Sequence, residues 1–273
     1  MIKLKFTANG LTLNCIDYGG AGHAPLLFLH GGSAHAHWWD LVAPAFVDRF
    51  HALALDLRGH GESEWTTEWE YGTRHYTSDL DQIISNWGLG APILVGHSMG
   101  GHTVLAYACE HADRLRAMVA IDAPQTYSEL AVNFLRGVGE RPVRRFDSLE
   151  QALANFRLMP RETIASKELL EEVGRKSFKQ LADGFWTHKF DRRTLIRDPI
   201  DVSSHVAQIT CPALLVKLSN SHVLDHETAR KMIAALPNGR LTEVPESYHH
   251  VMFDNPAGLI AVLKAFLAEL PLG

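Results

Sequence analysis

Five short, nearly uninterrupted apolar runs constrain the fold of this chain most: Pro25–His30, His51–Leu57, Pro92–Gly96, Arg116–Ile121 and Pro212–Leu218. Runs of that length suit strands buried on both faces, the condition of a parallel sheet covered by helices. Helical patterns lie between and after them, at Trp38–Phe50, Arg74–Trp87, Met99–His111, Glu227–Leu236 and Ala257–Leu270. Ahead of them, Ile2–Phe6 and Leu11–Tyr18 read as two strands joined at Asn9-Gly10, a pair suited to a hairpin turn. The alternation predicts an α/β protein with an open, mostly parallel sheet and helices on both faces. In such sheets ligands bind beyond the carboxyl ends of the strands, so the chemistry is expected just after each apolar run.

The stretch from Pro124 to His205 interrupts this alternation. It has no buried-strand run, its periodicity is helical (Leu130–Leu135, Leu149–Leu158, Thr163–Val173, Phe178–Phe185), and it carries 14 Lys+Arg against 12 Asp+Glu. It reads as a helical cap, so that residues 1–123 and 206–273 form a core and 124–205 an insertion. A length of 273 residues suits one core carrying such an insertion. A net charge of −5 excludes a generally basic nucleic-acid binder, and a 46% hydrophobic content interrupted by charges excludes a disordered chain. No run of about 18 apolar residues predicts a membrane span. The first residues lack the long apolar run of a secretion signal, so a cytoplasmic location is expected. Cys15, Cys109 and Cys211 are too far apart to suggest a disulfide framework or a CxxC metal site. Sixteen histidines are the one unusual count, and each needs its own account.

The sharpest motif is Gly96-His97-Ser98-Met99-Gly100-Gly101, which follows an apolar run and opens a helical pattern. This is the G-x-S-x-G arrangement, a serine on a tight strand-to-helix turn whose small neighbours permit the strained backbone. A second Gly-rich segment, His30-Gly31-Gly32-Ser33, follows the third strand, and Asp56-Leu57-Arg58-Gly59-His60-Gly61-Glu62-Ser63 follows the fourth. Near the C-terminus stands Glu246-Ser247-Tyr248-His249-His250-Val251-Met252-Phe253-Asp254-Asn255-Pro256. In these segments the chain resembles the α/β-hydrolase family, over nearly its whole length.

The resemblance implies Ser98 as nucleophile and His249, seven residues before Pro256, as base, with His250 a packing neighbour. It implies an oxyanion hole made by the backbone N–H groups of Gly32 and Met99, and a structural role for Asp56 and Arg58. Glu246 replaces the glycine usual in the family's histidine segment. The usual place of the acid is vacant: the loop after Pro212–Leu218 reads Ser219-Asn220-Ser221-His222-Val223-Leu224, with His222 where the family keeps an aspartate. An imidazole cannot supply the fixed negative charge that orients the base. Three readings stay open: Asp122 at the end of the sixth strand, Asp225 or Glu227 from the next turn, or no acid at all.

The resemblance further implies a cofactor-free serine hydrolase, cleaving a carboxylic ester or a related thioester or amide of a small-molecule substrate. Neither a metal nor a nucleic-acid or membrane partner is expected, and a homodimer is left open. His35-x-His37-x-x-Asp40 is only a loose metal signature, without a third ligand at a recognisable spacing. Trp38, Phe134, Trp186 and His222 are candidate pocket residues, with Trp39 and Phe185 as further aromatic candidates. Arg192 and Arg193 either meet a substrate carboxylate or face solvent. Two rival functions remain: a cofactor-independent oxygenase or lyase of the same fold working through a His249–Asp122 pair, and a decayed, ligand-binding member of the fold.

Overall fold

Strand pairing in the computed structural model, which describes residues 1–88, 90–196 and 200–271, follows the apolar runs closely. β1 (Ile2–Ala8) and β2 (Leu11–Gly19) form the expected hairpin at Asn9-Gly10, and β3 (Ala24–Leu29), β4 (Phe50–Leu55), α1 (Thr73–Trp87), β5 (Ile93–His97), α2 (Met99–His111) and β6 (Ala117–Ile121) follow in order. Next come α3 (Glu129–Gly139), α4 (Leu149–Ala154), α5 (Lys167–Ser177), β7 (Phe178–Gln180) and β8 (Trp186–His188). The chain ends with β9 (Ala213–Leu218), α6 (His226–Ala235), β10 (Gly239–Val244), α7 (Val251–Asp254) and α8 (Pro256–Ala268).

Eight strands form one sheet in the order β1-β2-β4-β3-β5-β6-β9-β10. β2 pairs antiparallel with β1 and β4, and every other pair in this sheet is parallel. β4, β5, β6 and β9 are buried along their whole length, as their apolar sequences require. Alternate residues feed two cores: Leu27, Leu29, Leu53 and Leu55 pack with α1 and α2 on one face, while Leu26, Phe28, Ala52 and Ala54 pack with α8 on the other. The chain steps from β3 outward to β4 and returns on the other side of β3 as β5, so the strand order reverses at the β3–β5 pair. That reversal opens a crevice at the carboxyl ends of the strands, where ligands bind in open α/β sheets.

Three sequence expectations are corrected. The helix expected over Trp38–Phe50 is instead two single 3₁₀ turns, Ala36–Trp39 and Ala43–Phe46, the second holding Pro44, whose missing N–H and ring stop an α-helix from running through. β10 was not foreseen, because it pairs only with β9 and leaves Arg240, Leu241 and Glu243 exposed, so it has no apolar run. The helical turn expected over Phe178–Phe185 is the β7–β8 hairpin, which turns at Asp183-Gly184 with Gly184 at φ +91°. An Asp-Gly pair between short strands is a hairpin signal. Among the described residues the segment between β6 and β9 is therefore mixed, three α-helices, a hairpin and two short 3₁₀ turns. Among the described residues no helix is long and apolar enough to cross a membrane.

Candidate active site

Ser98 leaves β5 at φ +52°, a backbone region that a non-glycine residue adopts only when its surroundings force it. The surroundings here are glycines. A Cβ on Gly96 would sit 2.3 Å from the Gly100 carbonyl oxygen, and one on Gly100 would sit 2.5 Å from that of Leu29. The Ser98 N–H donates to Ile121 O (3.0 Å) on β6, which pins the turn to the neighbouring strand. Its side chain makes no capping bond to α2, so the hydroxyl is not spent on the helix. Met99 is the first residue of α2, and its N–H is among the first four of the helix, which have no intrahelical acceptor.

β3 lies beside β5 with Leu29 opposite Gly96, so the segment following β3 meets the Ser98 turn. The approach is close: a Cβ on Gly31 would lie 3.3 Å from the Ser98 Cβ. His30 holds this loop from behind. Its Nε2 accepts the Leu57 N–H (3.1 Å), and its Nδ1 donates to Gly31 O (2.7 Å). Burial lowers the His30 pKa, in keeping with a neutral ring that accepts at one nitrogen and donates at the other. His60 is similar: its Nδ1 lies 3.0 Å from Arg58 O and its Nε2 accepts the Ser33 N–H at 3.4 Å. Asp56 accepts from the Ala36 N–H (2.6 Å), the Asn14 amide (2.8 Å) and the Glu62 N–H (2.9 Å), while buried Arg58 forks onto buried Asp79 through Nε (2.6 Å) and Nη2 (2.5 Å). Both residues brace loops and neither reaches the crevice.

β6 is the other neighbour of β5, with His97 opposite Ile121, so Asp122 emerges next to Ser98. Asp122 is fully buried, at φ +44°, and its Oδ2 lies 2.6 Å from His249 Nδ1. The same oxygen accepts the Ser221 hydroxyl, and Oδ1 accepts the Leu224 N–H (3.1 Å). Among the described residues the loop after β9 bonds no acid of its own to His249 and instead supplies two donors that aim the carboxylate following β6. Sequence reasoning missed both donors, since one is a hydroxyl and the other a backbone group. Asp225 is spent elsewhere: it caps α6, accepting from the Thr228 N–H and hydroxyl (2.8 Å each). Glu227 pairs with Lys231 (2.6 Å) on the exposed face of that helix.

His249 itself is held by its backbone. Its carbonyl accepts from His97 Nε2 (2.7 Å), and burial pushes His97 well below the ordinary histidine pKa, so that ring is neutral. The adjacent Tyr248 N–H donates to Asp254 Oδ2 (2.9 Å), whose other oxygen accepts the Ile164 N–H (3.0 Å) from beyond β6. His250 donates from Nε2 to Pro160 O (2.8 Å) and packs edge-on against Trp38, with burial pushing its pKa down to about 3. Glu246, at φ +50°, occupies the left-handed conformation that a glycine would adopt without strain.

Ser98, Gly32 and His249 open onto a cavity of about 1010 Å³. Trp38, Phe134 and His222 stand in its wall, His222 exposed. Trp186 does not: it belongs to β8, pairs its backbone with Phe146 (2.8 and 2.9 Å) and packs in a separate cluster with Phe146 and Phe178. Trp39 is core, stacked near Phe28, and Phe185 lies under Arg145. Arg193 is tied to Asp191, whereas Arg192 lines a side cavity next to the main one. His37 pairs with Asp40 (3.1 Å) and His35 with Ser177 (2.9 Å), and among the described residues no group of three or more His, Cys, Asp or Glu is placed to hold a metal ion.

Comparison with known proteins agrees with this layout. A family profile described as alpha/beta hydrolase fold matches residues 24–256. An esterase of Mycobacterium tuberculosis is 29% identical over 266 residues, covering 93% of this chain and 86% of its own. N-formylmaleamate deformylase of Pseudomonas putida is 25% identical over 272 residues, 96% of this chain and 94% of its own. The crystal structure of an E-2-(acetamidomethylene)succinate hydrolase superposes with a TM-score of 0.84 at 22% identity, covering 98% of this chain and 99% of that one. The fold is common to all of these, and the relatives support hydrolase activity. With its profile match, its sheet order and its turn at Ser98, the chain belongs to the α/β-hydrolase fold family.

Proposed function

We propose that the protein is a serine hydrolase that cleaves a carboxylic ester, or a related thioester or amide, through an acyl-enzyme on Ser98. The observation that carries this reading is the 2.6 Å approach of Asp122 Oδ2 to His249 Nδ1, with both residues buried on strand-end loops beside the strained Ser98 turn. With the Nδ1 proton held by Asp122, Nε2 is free to accept the proton of the Ser98 hydroxyl as its oxygen attacks the substrate carbonyl. The Gly32 and Met99 N–H groups receive the oxyanion, each such donor being worth roughly 10²–10³ in rate. His249 then passes its proton to the leaving group, whose bond to the carbonyl carbon breaks. Water, deprotonated by the same ring, attacks the acyl-enzyme and releases the acid and Ser98. The segment 124–205, which walls the cavity, acts in this reading as the cap that selects substrate.

A fluorophosphonate probe and turnover of 4-nitrophenyl butyrate test the proposal together. The expected result is covalent labelling at Ser98 and loss of turnover in Ser98→Ala and His249→Ala. Turnover that survives Ser98→Ala would overturn it in favour of chemistry on the His249–Asp122 pair. Absence of any turnover in the wild type would favour a ligand-binding role.

A further inference from the structure

A second cavity, of about 560 Å³, adjoins the first and shares with it Gly32, Ser33, Trp38, Arg157 and Arg161 among other residues, so it begins at the loop that faces Ser98. Its walls hold five arginines, Arg141, Arg144, Arg157, Arg161 and Arg192, and among the described residues no aspartate or glutamate. None of the five makes an ion pair with a carboxylate among the described residues. Arg144 instead bonds the Asn155 amide oxygen (3.1 Å), and Arg157 bonds the carbonyls of Ala154 (2.9 Å) and Phe156 (2.5 Å). Elsewhere in the same segment three arginines are neutralised locally: Arg145 by Asp183, Arg175 by Glu171, Arg193 by Asp191. Unpaired cations therefore converge on one wall.

Arg192 is the innermost sign of this. Its Nη2 donates to Val138 O (2.7 Å), but its Nε is buried and has no hydrogen-bond partner among the described residues. A buried donor left unsatisfied is costly, the more so for a charged group. Burial, and after it the neighbouring charges of Arg141 and Arg144, lower the Arg192 pKa. His188, on the same wall, is pushed down to about 4 by burial and by Arg192 and Arg144, so it adds no charge of its own near neutrality. Guanidinium forks pair two oxygens at once with carboxylate or phosphate, which suits these residues to an oxyanion more than to any neutral group.

We propose that this arginine-lined cavity is an anion subsite, and that the substrate cleaved at Ser98 carries a carboxylate or phosphate group remote from the scissile bond. The proposal deepens the serine-hydrolase reading and rests on it for the word substrate, while anion binding itself does not. The field of five cations beside the oxyanion loop draws such a molecule in and orients its carbonyl toward Ser98.

Two experiments on the full chain keep the two readings apart. In the first, Ser98→Ala protein is titrated calorimetrically at low salt with glutarate and with inorganic phosphate. Binding of one or both is expected, weakened at least tenfold by adding Arg192→Gln or Arg141→Gln and by raising the salt concentration, but unaltered by Arg145→Gln, which removes equal charge outside the cavity. The stronger of the two anions identifies the oxyanion. Binding of neither, or equal weakening by Arg145→Gln, overturns the subsite. In the second, kcat/KM is compared within two pairs: 4-nitrophenyl butyrate against the mono-4-nitrophenyl ester of glutarate, and S-ethyl thiobutyrate against butyryl-coenzyme A. A preference of tenfold or more for the anionic member of either pair is expected, carried in KM and lost in Arg192→Gln. Equal kcat/KM within both pairs overturns the assignment to substrate. Anion binding without turnover of any of the four defeats the serine-hydrolase reading and leaves the subsite standing.

Discussion

Asp122 and Ser98 share an unusual backbone state, at φ +44° and +52°, and sit at the ends of adjacent parallel strands. Strain of this kind costs on the order of 1–3 kcal/mol per residue and persists only where the rest of the fold over-determines it. Here the sheet does so, through Ser98 N–H to Ile121 O (3.0 Å) and Asp122 N–H to Val216 O (2.8 Å). If Asp122 orients His249, replacing it by asparagine keeps the shape but removes the charge that fixes the ring's tautomer. By analogy with triads that lose their acid, Asp122→Asn should lower kcat by about 10⁴, measured on any ester the wild type turns over. Asp225→Asn should leave kcat within a fewfold, because its carboxylate is engaged as the cap of α6. A large loss at Asp225 instead would move the acid to the later loop. His222 shows why the acid was hard to read from sequence: its position is vacated, and nothing local says which other strand end fills the gap.

At the scale of elements, helix α2 and strand β3 are fitted to each other at a single glycine. Gly100 faces the carbonyl oxygens of Leu29 and His30, where a Cβ would stand at 2.5 and 2.6 Å. Gly100→Ala therefore has to push the start of α2 away from the end of β3, at a cost of about 1–3 kcal/mol for an overpacked contact. The same displacement moves the Met99 N–H relative to Gly32, and misplacement near 1 Å can cost about 10² in rate. We expect a lower urea midpoint together with a fall in kcat larger than that in the fraction folded, measured by parallel denaturation and kinetics. A variant of unchanged stability and unchanged kcat would contradict the packing argument. The glycine is legible in sequence because it belongs to the compact Gly96–Gly101 turn motif, although the backbone it meets, at Leu29 and His30, lies about seventy residues away. The 3₁₀ turns at Ala36–Trp39 and Ala43–Phe46 were not legible in this way, since their apolar spacing mimics a helix until Pro44 and the demand of Asp56 for the Ala36 N–H are considered. Trp186 failed for a different reason, because an aromatic in a short hairpin joins whichever core lies nearest, here that of Phe146 and Phe178.

Across the whole molecule the histidines act together. Burial depresses the pKa of His30, His35, His97, His188 and His250, to about 4 for His188 and about 3 for His250. The unfolded chain takes up protons on these rings near pH 6.5, whereas the folded chain takes them up only at lower pH. Their contribution to stability is therefore complete above about pH 6.5 and is lost as the pH falls toward the folded values, at up to about 1.4 kcal/mol per pH unit for each ring. Asp40 works in a lower window. Its hydrogen bonds to His37, Tyr18 and Lys176 outweigh desolvation and hold it at about 2, so its share is lost only below about pH 4. Thermal unfolding should accordingly show a steady fall in Tm from pH 7 to pH 4.5, shallower in His188→Gln. A flat profile over that range would mean the rings are not buried as neutral groups.

The five apolar strands, the mostly parallel character of their sheet and the segments around Ser98, Gly32 and His249 were determined by the sequence alone. Each depends on a short-range requirement: apolar residues on both faces of a strand, or glycine where backbones meet. What only the tertiary structure decided depends on residues distant in the chain. Asp122 faces His249 because β6 lies between β5 and β9, and because Ser221 and Leu224 aim its carboxylate from a loop about a hundred residues away. The five arginines, spread from 141 to 192, converge only when α3, α4, α5 and the β7–β8 hairpin pack over the strand ends. Their count was visible in the composition of the segment. Their common wall was not, because charge in a sequence carries no direction until packing decides which side chains face solvent and which face one another.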